Sequence, residues 1–167
     1  MSLSQAEFNA LVSDHGPALF RMAYRMVGDR HEAEDIVQDT FRSAWKSRTG
    51  YRTGLGERAW LASILRRRVV DRWRRRTLPC VVSETLEVEV EGADPLANDY
   101  TDEMQTALNR LPNELREALL LVVVGELTHQ EVAHLLSLPL GTVLSRVSRA
   151  RERLREYLLG VAKPNVG

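Results

Sequence analysis

The chain has 167 residues, 44% hydrophobic and 28% charged, with a formal net charge of zero, a length and composition that suit one soluble domain or two small ones. No apolar run approaches the ~20 residues a bilayer span needs, and Met1 to Leu11 lacks a basic start followed by an apolar stretch, so no signal peptide is expected. Cys80 is the only cysteine, which excludes an internal disulfide and a thiolate zinc site and makes the cytoplasm the expected compartment.

Helical periodicity opens the chain. From Ser4 to Val27, apolar residues recur at Phe8, Leu11, Val12, Leu19, Phe20, Ala23 and Tyr24, with Gly16-Pro17 expected to interrupt and Gly28-Asp29 to end the run. His31 to Lys46 carries an unbroken stripe: Ala33, Ile36, Val37, Thr40, Phe41, Ala44 and Trp45. Thr49 to Gly56 holds three glycines and reads as a loop. A third helix is predicted over Glu57 to Arg76, with Trp60, Leu61, Ile64, Leu65, Val69 and Trp73 inward. Leu78 to about Asp99 contains Pro79, Gly92 and Pro95 and, despite a faint strand signal at Val81-Val82 and Val88 to Val90, reads as an extended linker. Helices resume with Met104, Ala107, Leu108 and Leu111. Pro112 is expected as the first residue of the next helix, which is rich in apolar residues from Leu119 to Val124 and closed by Gly125. Thr128 and Glu131 form a capping box for a helix over Gln130 to Leu136. After a break at Ser137-Leu138-Pro139, a last helix is expected from Gly141 or Thr142 to about Leu159.

Charge is distributed unevenly over these elements. Residues 1–77 hold fifteen Lys and Arg against nine Asp and Glu; residues 78–109 hold eight acidic residues and no basic one; residues 110–167 hold eight basic against six acidic. Basic blocks on either side of an acidic connector suggest two surfaces for a polyanion, with a solubilising linker as the plainer explanation.

The last two helices make a helix-turn-helix pattern. Val132, Ala133 and Leu136 are expected to pack on Val143 and Val147, leaving Thr142, Ser145, Arg146, Arg149 and Arg153 exposed. Arginine can fork onto guanine or phosphate, and Ser and Thr can bond either; a helical hairpin with a solvated basic face is the bland alternative. The N-terminal block pairs two helices of opposite polarity. Glu32, Glu34, Asp35, Gln38 and Asp39 form an acidic outer face suited to a basic partner. The next helix carries Arg58, Arg66, Arg67, Arg68, Arg72, Arg74, Arg75 and Arg76 against Glu57 and Asp71.

These residues carry a resemblance. Ala23-Tyr24-Arg25-Met26-Val27-Gly28-Asp29, Ala33-Glu34-Asp35-Ile36-Val37-Gln38-Asp39-Thr40-Phe41, Ala44-Trp45 and Trp60-Leu61 resemble the second domain of extracytoplasmic-function sigma factors of the sigma-70 family. Leu111-Pro112, Arg116 to Leu121, Leu127 to Ala133, Pro139 to Val143, Ser145-Arg146 and Arg149-Ala150-Arg151 resemble the family's fourth domain. The resemblance implies an all-α protein: a sigma-2-like helical bundle at 1–77, an acidic flexible linker at 78–100, a sigma-4-like helix-turn-helix domain at 101–160 and a tail at 161–167. It implies a factor that binds RNA polymerase core and directs promoter recognition and strand opening. Asp35, Gln38 and Asp39 are then expected against the clamp helices of the polymerase's largest subunit, with the flap of the second largest as a further contact. Arg48, Tyr51, Arg52, Arg58, Arg66, Arg67 and Arg72 are expected on the minus-10 element, and Thr142, Ser145, Arg146, Arg149 and Arg153 on the minus-35 element. Tyr51 stands where the family often has phenylalanine, and Leu144 where many relatives carry a basic residue. An anti-sigma factor is an expected partner; no cofactor, metal or catalysis is expected.

Two alternatives stand beside this reading. One is a plain helix-turn-helix regulator with an N-terminal partner-binding module. The other is an enzyme with a metal near His31, Glu34, Asp35 and Asp39, against which the sequence offers neither a second ligand cluster nor a Gly-rich phosphate loop. His15, His129 and His134 read as surface or packing residues, and Cys80 as a linker bystander.

Overall fold

The computed structural model describes residues 3–50, 56–77 and 102–160. Among them are seven α-helices, one 3-10 turn and no strand. The expected linker, with Cys80, lies outside the described residues, as do Tyr51, Arg52 and the tail.

Helix α1, Gln5–Val27, opens on a reciprocal cap: Ser4 Oγ accepts from the Glu7 amide, and the Glu7 carboxylate accepts from the Ser4 amide at 2.8 Å. The helix runs through Pro17, so the expected interruption there is corrected. Proline removes one donor, and the carbonyl it leaves is that of Ser13. Both residues face solvent, where water can take up the freed carbonyl. Gly28 ends α1 in the left-handed region at φ 72°, its amide bonded to the Tyr24 carbonyl at 2.8 Å. A side chain there meets a second obstacle, because a Cβ would stand 2.9 Å from Asn109 Oδ1.

Helix α2, Arg30–Lys46, is capped by Asp29, whose carboxylate accepts from the Glu32 amide at 2.9 Å. Its buried residues Ala33, Ile36, Thr40 and Ala44 fall at helical spacing on one face. Thr40 satisfies its buried hydroxyl on the Ile36 carbonyl at 2.7 Å. A 3-10 turn, Arg48–Gly50, follows. Helix α3, Glu57–Thr77, buries Leu61, Ala62, Ile64, Leu65, Val69 and Trp73. Phe8 packs edge-on against Trp45 at 5.0 Å and Phe41 at 6.3 Å and closes one end of the α1–α3 bundle.

The second unit comprises α4 (Asp102–Arg110), α5 (Asn113–Val123), α6 (His129–Leu136) and α7 (Leu140–Leu158). Pro112 is the residue before α5 rather than its first, α6 begins one residue earlier than expected, and α7 begins at Leu140 after Pro139. The α6–α7 turn passes through Ser137 at φ 55° and is closed by the Leu138 amide on the Ala133 carbonyl at 2.9 Å. Val132, Ala133, Val143 and Val147 are buried, in line with the helix-turn-helix packing expected from the sequence.

The two units share a seam. Helix α1 packs on α4 and α5, and α3 on α6, so the buried residues of both halves form one cluster. Met22, Met26, Leu108, Leu120 and Leu121 are almost fully buried, each such side chain stabilising by about 1.5–3 kcal/mol. Gly125 permits the approach: a Cβ there would lie 3.2 Å from Met22 Sδ and 2.6 Å from the Leu121 carbonyl. The spacing of the halves is set in this structure by side-chain packing.

Candidate polymerase and nucleic-acid interfaces

The outer face of α2 follows from its buried stripe. Because Ala33, Ile36, Thr40 and Ala44 face inward, Asp35 and Gln38 are exposed and Asp39 is half-exposed. These carboxylates have local partners. Asp39 lies 3.4 Å from Arg42, and Asp35 lies 3.7 Å from Arg72 of α3. Glu32 pairs with Arg76, and that bond raises the Arg76 pKa above its ordinary value. The acidic face and the basic helix are therefore neighbours, joined at their rim by exposed pairs worth about 0–1 kcal/mol each.

The residues expected at the minus-10 element diverge in environment. Arg48 donates to the Trp45 carbonyl at 2.8 Å and lies 3.8 Å over the Trp45 ring, so it is held against α2. Arg67 is exposed and lines a groove between α3 and α6 with Trp60, Ser63, Gln130, His134 and Leu135. Arg58 and Arg66 reach the second unit. Arg58 Nη1 is 2.6 Å from Glu126 Oε2, and Arg66 forks onto Glu117 with Nε–Oε2 at 3.0 Å and Nη2–Oε1 at 3.3 Å.

On α7, Thr142, Ser145, Arg149 and Arg153 repeat every three or four residues and so share one face, a stripe about 16 Å long at 1.5 Å per residue. Arg149 and Arg153 are exposed, whereas Thr142 and Ser145 are half-buried. Arg146 is drawn back toward the scaffold, with Nη2 3.7 Å from Glu114 of α5.

Two buried arginines escaped the sequence reading as structural elements. Arg25 of α1 donates to Gln105 Oε1 at 2.9 Å, while Gln105 Nε2 returns a bond to the Arg25 carbonyl at 3.3 Å. Arg116 of α5 donates to the carbonyls of Met26, Asn109 and Leu111 at 2.8, 2.8 and 2.9 Å and stands 5.7 Å over the Trp73 ring. Burial lowers its pKa from the ordinary value, with a smaller contribution from Arg76. One signal was present: Ala118 to Val124 is an unbroken apolar run, which marks α5 as a central helix and draws the charged residues just before it, Arg116 and Glu117, toward partners inside.

Comparison with known proteins resolves the family. Residues 11–78 match the model for sigma-70 region 2, and residues 101–154 match the model for sigma-70 region 4. The chain belongs to the extracytoplasmic-function sigma factors. It is 35% identical over 159 residues to the ECF RNA polymerase sigma factor SigE of Mycolicibacterium smegmatis, covering 90% of this chain and 61% of that longer factor. It is 31% identical to the ferric citrate uptake sigma factor FecI of Escherichia coli, covering 87% of each chain. Among solved structures, the sigma factor RpoE of Bartonella quintana, in complex with the anti-sigma factor NepR, superposes with a TM-score of 0.76 at 32% identity, covering 90% of this chain and 96% of that one. The all-α fold read from the sequence, with its helical bundle and helix-turn-helix unit, agrees with these matches. As a sigma factor the chain binds RNA polymerase core and directs promoter-specific initiation. No described helix is long and apolar enough to cross a membrane.

Proposed function

We propose that the two units of this sigma factor divide promoter recognition. The exposed edge of α2, through Asp35, Gln38 and Asp39, docks on the clamp helices of the polymerase's largest subunit. Arg48, Tyr51, Arg52, Arg58, Arg66, Arg67 and Arg72 engage the minus-10 element and its opened strand. Thr142, Ser145, Arg146, Arg149 and Arg153 face the minus-35 element, and the second unit also meets the flap of the second-largest subunit. The observation that carries this reading is the adjacency of an acidic α2 face and an arginine-rich α3 in one bundle. Carboxylates repel DNA and attract a basic protein surface, whereas a basic helix suits a melted strand that needs a charged groove rather than a base-pair code.

In this reading the domains are 1–77 and 101–160, and the chain acts in the cytoplasm beside polymerase without catalysing a reaction of its own. The Bartonella factor was solved with an anti-sigma factor, which supports a partner of the same class here. Run-off transcription with purified core polymerase on genomic fragments tests the assignment. Discrete start sites that require both core and this chain are expected. Tight duplex binding by the chain alone, with no polymerase-dependent transcript, would favour a plain helix-turn-helix regulator instead.

A further inference from the structure

We propose that Leu144 is a specificity-determining residue: its exposed side chain takes the C5 methyl of a thymine in the major groove of the minus-35 element. The inference rests on the assignment of α7 to that element.

Leu144 is 46% exposed, and Leu140, one turn earlier on the same edge of α7, is 39% exposed. A lone exposed leucine on a soluble protein calls for no explanation; the location of this pair does. They stand in the first two turns of α7, the end of a recognition helix whose residues meet base edges. The other large apolar side chains exposed among the described residues, Val123, Leu158 and Leu159, line a groove at the opposite end of α7. Leu158 is about 21 Å along the helix from Leu144 at 1.5 Å per residue.

The surroundings leave Leu144 as the projecting group. Its neighbours three residues before and four after are Gly141 and Ser148, both exposed and both small. A Cβ added at Gly141 would meet nothing within 4 Å, so the space in front of this turn is open. Free charge is sparse on the same patch. The first acidic residue of α7 is Glu152, and Arg146 leans toward Glu114. Arg149, Arg151 and Arg153 are exposed farther along, where they can hold phosphate or fork onto guanine. The serines can bond to more than one base. The thymine methyl is the apolar mark of the major groove, and a leucine covers it without stripping water from a charge.

Deoxyuridine in place of thymidine removes that methyl and keeps the base pair. Holoenzyme assembled from core polymerase and this chain should bind a cognate promoter about fourfold more weakly when one particular thymine of the minus-35 element is replaced, the scale of burying one carbon. Leu144→Ala, a change at an exposed position, should melt like wild type, bind the thymine promoter at least as weakly as wild type binds the uracil one, and be indifferent to the replacement. Indifference of the wild type at every thymine of the element, or an equal loss in both proteins, overturns the proposal. Ser148→Cys in a Cys80→Ser background, carrying a DNA-cleaving iron chelate, tests the underlying assignment. Cleavage of the duplex beside that thymine is expected. Cleavage only outside the minus-35 element removes α7 from it and the leucine's role as well. Cleavage within the element, without a methyl effect that depends on Leu144, removes the leucine's role alone.

Discussion

Arg116 donates from Nη1 to the Met26 carbonyl at 2.8 Å, so a guanidinium on α5 closes the C-terminal end of α1, 90 residues earlier in the chain. The same group caps the end of α4 through Asn109 and Leu111. A cation at the carbonyl ends of two helices also meets the negative ends of their dipoles.

Arg116→Met should therefore destabilise the fold by at least about 2 kcal/mol, because it leaves buried carbonyls without a donor. Urea unfolding followed by circular dichroism measures the loss. A midpoint and slope equal to wild type would mean water replaces the guanidinium without cost.

Reversing the charge at Asp35 and Asp39 with lysine should weaken capture of core polymerase while changing stability by less than about 1 kcal/mol, since both carboxylates make only exposed pairs. Pull-down of core at wild-type strength by the folded double variant would remove α2 from the interface.

On α7, Arg149→Ala should cost about 1–3 kcal/mol at a cognate promoter if the guanidinium reads a base edge. Arg146→Ala should cost less, because Arg146 leans toward Glu114. Binding to promoter variants separates the roles: a base contact relaxes specificity at one position, whereas a phosphate contact weakens all sequences alike. Equal activity of both variants and wild type would exclude this face.

Thr128→Ala should destabilise α6 by about 1 kcal/mol. It removes the hydroxyl that accepts from the Glu131 amide at 3.1 Å, half of the reciprocal cap with the Thr128 amide at 3.0 Å. Thermal melting of the whole chain reads the effect, and Thr128→Ser should recover most of it.

Local chemistry made most elements legible in the sequence. The Thr128–Glu131 cap, the Gly28 stop and the inward stripe of α2 each depend on residues within a turn or two, so periodicity and end signals located those helices to within a residue or so. The polarity of α2 and α3 was equally readable, because side chains on known helical faces need no tertiary information. Pro17 shows the limit of such rules: its solvent-facing position lets α1 continue where proline in a packed face would end it. What only the tertiary structure decided is the seam. Arg25 finds Gln105, Arg66 finds Glu117 and Arg116 finds Met26 across separations of 80, 51 and 90 residues. No local pattern encodes such a pairing, because the partners stand on different helices far apart in the chain. It is fixed only once the helices of the two units have buried their apolar faces together and brought those groups within reach of one another.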